Sequence, residues 1–339
     1  MNRKRFITAL SGIPMLLNAS AVGHTMPATA GQAIIPPYLK SGDLIAITSP
    51  AGFITINELQ PAIEILKGWG YEVKIGKTIG RRDNSFGGSD KEREEDFQAQ
   101  IDDPAVKAIL CARGGYGAIR IIDQLKFSAA PHQLKWIIGF SDITVLHAHL
   151  NRNYGIASIH SKMCNSFPET LSKADPVQLE TILSIRYALE GKPSQFSIPP
   201  TVHNKAGHGQ GNLVGGNLKT LETLAGSSSD LVTRNKILFV EDTGEYLYSI
   251  DRMFWNLKRS GKLDDLHGLI IGGFRIKPDL PGEEFGKSLH EIVLEKVKDC
   301  SYPVCFDFPV GHQKNNYALK CGLIHDLIVT SKEVVLKES

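Results

Sequence analysis

The chain has 339 residues, 42% hydrophobic and 22% charged, which excludes a disordered chain and, at roughly 150 residues per domain, leaves room for two domains. Its 38 Lys and Arg against 36 Asp and Glu give a net charge of +2 without a concentrated basic stripe, which argues against nucleic acid as a partner. Five cysteines, none in a C-x-x-C pair, offer neither a disulfide scaffold nor a zinc ribbon.

Residues 1–30 read separately from the rest. Arg3, Lys4 and Arg5 precede an apolar run over 6–22 and the small-residue stretch Pro27-Ala28-Thr29-Ala30, the pattern of a signal peptide cleaved after Ala30. Gly12, Pro14, Asn18 and Ser20 break the run below the roughly 20 apolar residues that a spanning helix needs. Asn2-Arg3-Lys4-Arg5-Phe6-Ile7 is similar to a twin-arginine signal with one Arg replaced by Lys, which leaves the export route open. The expectation is an exported, periplasmic protein with no stable membrane insertion once the leader is removed.

Strands and helices then alternate. A buried strand over 44–48 runs into Ser49-Pro50-Ala51-Gly52, a helix covers 58–69, a strand 71–75, and Ser89-Asp90-Lys91-Glu92 is a capping box opening a helix to about 101. A buried strand over 106–112 leads into Arg113-Gly114-Gly115-Tyr116-Gly117 and a helix through 125; a strand over 136–139 precedes a helix over 142–150. This alternation predicts an α/β fold with an open parallel sheet covered on both faces. Residues 31–167 form a first domain, 168–209 a linker region with one helix at 176–190, and 210–339 a second, mixed α/β domain. In that half we expect a strand and glycine turn at 211–216, helices at 217–225, 246–258 and 287–299, and strands at 236–241, 269–273 and 304–308.

The sharpest local feature is Gly139-Phe140-Ser141-Asp142. A serine between a buried strand and a helix start, with Gly two residues before it, has the layout of a nucleophile elbow, although Ile143 stands where G-x-S-x-G has its second glycine. Local sequence alone leaves open a structural N-cap serine. Among the 11 histidines, His147 and His149 lie two apart on one helix and read as packed or exposed. His312 follows a buried strand in a glycine loop, where an α/β sheet delivers functional side chains. Glu241 ends the apolar strand 237–240, and a solvated loop capped at Thr243 is the other reading of that cluster. Ser141, Glu241 and His312 thus stand at strand ends in one known order of a serine triad. The 113–117 loop lacks the spacing of a phosphate cradle, so its glycines are read as allowing close backbone approach. Cys111, without a neighbouring base, reads as a buried thiol, and no metal-ligand cluster is readable.

Taken together, Ser49-Pro50-Ala51-Gly52, Arg113 to Gly117 with Arg120, Gly139-Phe140-Ser141-Asp142, Gly215-Gly216-Asn217-Leu218, Val240-Glu241-Asp242 with Asp251-Arg252-Met253, and Gly311-His312 resemble the LD-carboxypeptidases. These are serine peptidases that trim D-Ala from murein tetrapeptides, with the microcin C self-immunity proteins as relatives. The resemblance implies a Rossmann-like N-terminal domain, a smaller α/β C-terminal domain and a homodimer. It implies Ser141 as nucleophile, His312 as general base, Glu241 as the group orienting it, and the backbone N–H groups of Gly115 and Asp142 as oxyanion hole. No metal or cofactor enters this chemistry. His160-Ser161-Lys162-Met163 replaces a Gly-Pro-Met segment, and Lys320-Cys321-Gly322 stands where the family usually has Pro-Leu-Gly; both bear on substrate fit.

The expected substrate is a murein peptide with a free terminal carboxylate, for which the planar guanidinium of Arg113 is the candidate receiver. Two alternatives stay open. One is a related serine peptidase acting on peptide-nucleotide or acyl-dipeptide compounds; the other is a non-catalytic periplasmic solute-binding protein.

Overall fold

The computed structural model describes residues 33–339 except 129, 131 and 132. The expected signal segment, 1–30, lies outside the described residues. No helix among the described residues is long and apolar enough to cross a membrane.

The first sheet begins with β1 (Leu44–Thr48), whose apolar side chains are buried. A capping box between Thr55 and Glu58 opens α1 (Ile56–Gly68), which returns the chain to β2 (Glu72–Ile75). The expected box at Ser89 and Glu92 is present and starts α2 (Asp90–Asp102), which leads to β3 (Val106–Cys111). β4 (Trp136–Gly139), α3 (Thr144–Tyr154) and β5 (Ser158–His160) follow. The five strands pair in parallel in the order β2-β1-β3-β4-β5, an open doubly wound sheet whose strand order reverses between β1 and β3.

One expected helix is different. After the glycine loop the chain makes two short 3-10 turns, Ala118–Arg120 and Ile122–Gln124, instead of a helix through 125. Ile119, Ile121 and Ile122 are β-branched and lower helix propensity, and Ala118, Ile121 and Ile122 are pulled into the core.

Residues 168–209 hold α4 (Pro176–Leu189), whose Ile182, Ile185 and Leu189 pack with α1 on one face of the first sheet. They also hold β6 (Gln195–Ile198) and the start of β7 (Gly207–Asn217). Next come α5 (Leu218–Leu224), β8 (Lys236–Glu245), α6 (Leu247–Arg259), β9 (Gly268–Ile276), α7 (Leu289–Val297) and β10 (Val304–Cys305). β10 is shorter than the expected 304–308 strand because Asp307, at φ 57°, turns the chain out of extended conformation. β11 (Leu319–Cys321), β12 (Ile324–Val329) and β13 (Val334–Glu338) finish the chain. The second sheet runs β10-β9-β8-β7-β12-β13-β6, parallel through β7 and antiparallel beyond it.

Two features join the halves. β11 pairs antiparallel with β5, so a strand from the far end of the chain forms the edge of the first sheet. One continuous apolar core also runs from Ile109, Ile137 and Leu146 to Leu218, Leu238 and Phe254, with α3 and α5 between the sheets. At that junction the Asn217 N–H donates to Thr144 Oγ1 at 3.0 Å, and Gly216 leaves room for the Thr144 side chain.

Candidate active site

The carboxyl ends of β1, β3, β4 and β5 and of β7, β8 and β9 are where an α/β sheet exposes its loops. Ser141 sits just past β4 at φ 62°, in the left-handed region that a side chain rarely adopts. It opens the 3-10 turn Ser141–Ile143 that runs into α3, the strained strand-to-helix turn expected from the sequence. The missing second glycine is explained by packing. A Cβ on Gly139 would stand 2.9 Å from Ile143 Cγ1, so Ile143 fills the space that Gly139 leaves.

Hydrogen bonds fix the turn. The His147 ring bridges the Gly139 carbonyl (2.9 Å) and Ser158 Oγ (2.8 Å), and burial lowers its pKa to about 4, so it is a neutral structural histidine. His149 is likewise buried and bonded to Ser229. Asp142 Oδ2 accepts from the Ala118 N–H at 2.8 Å and thereby ties the glycine loop to the turn. Burial pushes the Asp142 carboxyl up to about 6. From the other side, the fully buried Arg93 of α2 donates to the carbonyls of Pro50 (2.6 Å) and Gly117 (2.9 Å). Gly114 touches Ser141: a Cβ there would lie 3.2 Å from Ser141 Cβ.

The second sheet supplies a paired carboxylate and imidazole. Glu241, fully buried on β8, accepts from His312 Nδ1 at 2.6 Å and from the His312 backbone N–H at 3.2 Å. Gly311, at φ 102°, is required here, because a Cβ would overlap Glu241. Asn316, also fully buried, accepts the Gly311 N–H at 2.7 Å and holds the loop from beneath. Phe140 packs against the imidazole with ring centroids 4.9 Å apart and the planes tilted by 49°, which places His312 beside the serine turn. Among the described residues no hydrogen bond joins Ser141 Oγ to the imidazole; such bonds are often long without substrate.

Ser141 and Asp142 line a cleft of about 230 Å³ with Gly115, Tyr116, Asn217 and Asp242 among others. Gly115, at φ 95°, packs on Gly52, and the Gly52 N–H donates to Gly114 O at 2.8 Å, so the loops after β1 and β3 hold each other at the point of strand reversal. Asp242 is gripped by Asn217 Nδ2 and by the backbone N–H groups of Thr243 and Lys219. Arg113 is exposed, donates to Phe53 O at 3.2 Å, and is not among the residues lining this cleft. Cys111 is fully buried and its thiol is pushed well up by burial, which leaves it inert.

Sequence reading did not single out Arg93, Asn316 or Asn217 for its bond to Asp242, and it named Lys162 only within the 160–163 segment that bears on substrate fit. Only Asn217, following two glycines at a strand end, carried a local signal; the others gain their roles from distant partners. The arrangement can hold an imidazole in one tautomer, back it with a buried carboxylate, and present a strained serine next to backbone N–H groups. These are the parts of a serine hydrolase.

Comparison with known proteins carries this to a family. Residues 45–161 match the LD-carboxypeptidase N-terminal domain and residues 210–327 the LD-carboxypeptidase C-terminal domain. A probable murein peptide carboxypeptidase of Bacillus subtilis is 31% identical over 307 residues, covering 89% of this chain and 94% of that protein. The crystal structure of a muramoyltetrapeptide carboxypeptidase from Oxalobacter formigenes superimposes with a TM-score of 0.76 at 28% identity, covering 87% of this chain and 98% of that one. The microcin C7 self-immunity protein of Escherichia coli is 26% identical, covering 88% and 94%. The chain belongs to the LD-carboxypeptidase family, and it is a serine-type carboxypeptidase. The solute-binding alternative is thereby set aside.

Proposed function

We propose that this enzyme hydrolyses the L,D bond that holds the terminal D-Ala of murein tetrapeptides, through Ser141, His312 and Glu241. The carrying observation is the buried Glu241 carboxylate, which takes both the Nδ1 and the backbone N–H of His312. With Nδ1 so engaged, Nε2 is the nitrogen left for proton transfer. Ser141 Oγ attacks the carbonyl of the penultimate residue while Nε2 takes its proton; the N–H groups of Gly115 and Asp142 receive the oxyanion. The imidazolium returns the proton to the departing D-Ala amine, and water then releases the acyl group by the same steps. The relatives from Bacillus subtilis and Oxalobacter formigenes, by their names, support the substrate.

The test is turnover of defined tetrapeptides by the purified protein. Ser141→Ala and His312→Ala should each lower kcat by roughly three orders of magnitude or more with the fold intact, and Glu241→Gln by less. Near-normal release of D-Ala by Ser141→Ala would end the assignment. Misplacing the scissile carbonyl by about 1 Å costs on the order of a hundredfold, so peptides ending in L-Ala or in D-Ala amide should be cut far more slowly than the D-Ala acid. Similarity to the microcin C7 self-immunity protein supports a second reading, a peptidase of peptide-nucleotide compounds. Release of an acyl group from such a compound, with tetrapeptides left whole, would favour it.

We also propose export, on Arg3-Lys4-Arg5, the apolar run and Pro27 to Ala30. Cell fractionation checks it, and an uncleaved protein in the cytosol would refute it. Pairing into a homodimer rests on the family resemblance and is tested by light scattering of the processed chain.

A further inference from the structure

A carboxypeptidase must tell a free terminal carboxylate from a continuing peptide, and the cleft around Ser141 has Lys219 as its one lining cation among the described residues, paired with Glu222 at 2.8 Å. A second cleft, of about 220 Å³, borders the loop after His312 at Lys314 and is lined by Lys162, Ser166, Gln178, Thr181, Ile182 and Lys314. Three of these, at 178, 181 and 182, come from one face of α4.

Lys162 is unusual in its setting. It follows β5, next to the end of β4 that carries Ser141, and its neighbour Met163 stands with Ser141 against Gly114. Its Nζ donates to the carbonyl of Gln313, the residue after His312, at 2.6 Å, and lies 5.4 Å from the centre of the Phe140 ring that packs beside His312. Among the described residues it has no ion-pair partner, while Lys314 is paired with Asp175 at 2.9 Å. Glu241, the acid that acts on Lys162 from β8, is already bound to His312, and Arg275 on β9 adds further positive charge. Burial, then Arg275, lower the Lys162 pKa to about 8. A half-buried ammonium without a counter-ion favours an anion that completes it. Thr181, 1% exposed, also lines this cleft with a hydroxyl that has no hydrogen-bond partner. In the departing amino acid the carboxylate carbon is two bonds from the amine that His312 protonates. A cation receiving it must therefore stand close to the His312 loop, and Lys162 touches that loop at the Gln313 carbonyl and lies over the Phe140 ring that neighbours the imidazole.

We propose that Lys162 receives the free C-terminal carboxylate of the substrate peptide, with Gln178 and Thr181 as the polar wall behind it. The proposal rests on the carboxypeptidase reading above and moves carboxylate recognition from Arg113 to Lys162.

Binding of N-acetyl-D-alanine and of its amide to the full protein, followed by NMR titration, tests it. The unaltered protein should bind the acid at least tenfold more tightly than the amide. Lys162→Met, which replaces a half-buried charge by an apolar chain and should fold, ought to bind both equally weakly; Lys162→Arg should keep part of the preference, and Arg113→Ala all of it. On tetrapeptides, Lys162→Met should raise KM about tenfold or more with kcat changed only a few-fold. Equal binding of acid and amide by the unaltered protein, no binding of either, or a preference retained in a cooperatively melting Lys162→Met protein would each overturn the proposal. Failure of the peptidase reading shows separately, as no D-Ala released from any tetrapeptide by the unaltered enzyme.

Discussion

Asp142 follows the proposed nucleophile and is buried, and Asp242 across the cleft is buried as well; burial pushes each carboxyl up to about 6. Both folded values lie above the unfolded value near 4, so between about pH 4 and 6 the folded chain holds more protons than the unfolded one, and these groups remove stability as pH rises. Asp142→Asn keeps an oxygen to accept from Ala118 and removes the charge. Its stability relative to the unaltered protein should therefore improve as pH rises through that window, by about 3 kcal/mol at most. Urea unfolding at pH 4.5 and 7 measures it, and a pH-independent difference would contradict it. At this scale Ser141, Glu241 and His312 were legible because each follows an apolar run in the sequence, although β8 continues past Glu241 to Glu245 and β10 already ends at Cys305. Lys162 was legible only as a departure from the family pattern, because its partner lies 151 residues further along the chain.

Among the elements, the turn from β4 into α3 depends on small residues in the neighbouring loop. Gly114 has an ordinary backbone conformation, so Gly114→Ala should fold, yet its methyl would press on Ser141 Cβ and Met163 Cε at 3.2 Å each. Displacing the serine by a fraction of an ångström should lower kcat about tenfold to a hundredfold with little change in melting temperature. Steady-state kinetics beside a thermal melt separates the two effects. Helices with capping boxes and strands with unbroken apolar runs appear in the structure close to their expected bounds, as at α2 and β1. The segment after Gly117 misled because its apolar spacing suits a helix, whereas its isoleucines and the bond from Ala118 to Asp142 favour tight turns. β10 fell short of expectation at Asp307, whose positive φ no periodicity reveals.

Across the whole molecule, the sequence showed two α/β halves and did not show how they interlock, since strand pairing between distant segments leaves no local trace. Lys320, at one of the two departures from the family pattern, is buried on β11 and pairs with Glu338 of β13 at 3.0 Å while donating to Lys192 O at 3.1 Å. Lys320→Met leaves the half-buried Glu338 carboxylate without its counter-ion, held only by Ser194 among the described residues, and should cost about 3 kcal/mol; adding Glu338→Gln should recover most of it. Chemical denaturation of the three proteins decides the point.

The pairing of β11 with β5 also governs when the protein can fold. The first sheet comes from residues 44–160, yet its last strand is residues 319–321, so during synthesis the edge of β5 stays unpaired until nearly the whole chain has emerged. An N-terminal domain of this kind ordinarily completes itself while the rest is still being made. Here closure of the sheet requires a loop of more than a hundred residues, a contact of high sequence separation that slows folding. The nascent chain must carry an open strand edge from the emergence of residue 160 to that of residue 319, about half of its synthesis, with the exposure to wrong pairing that an unpaired edge brings.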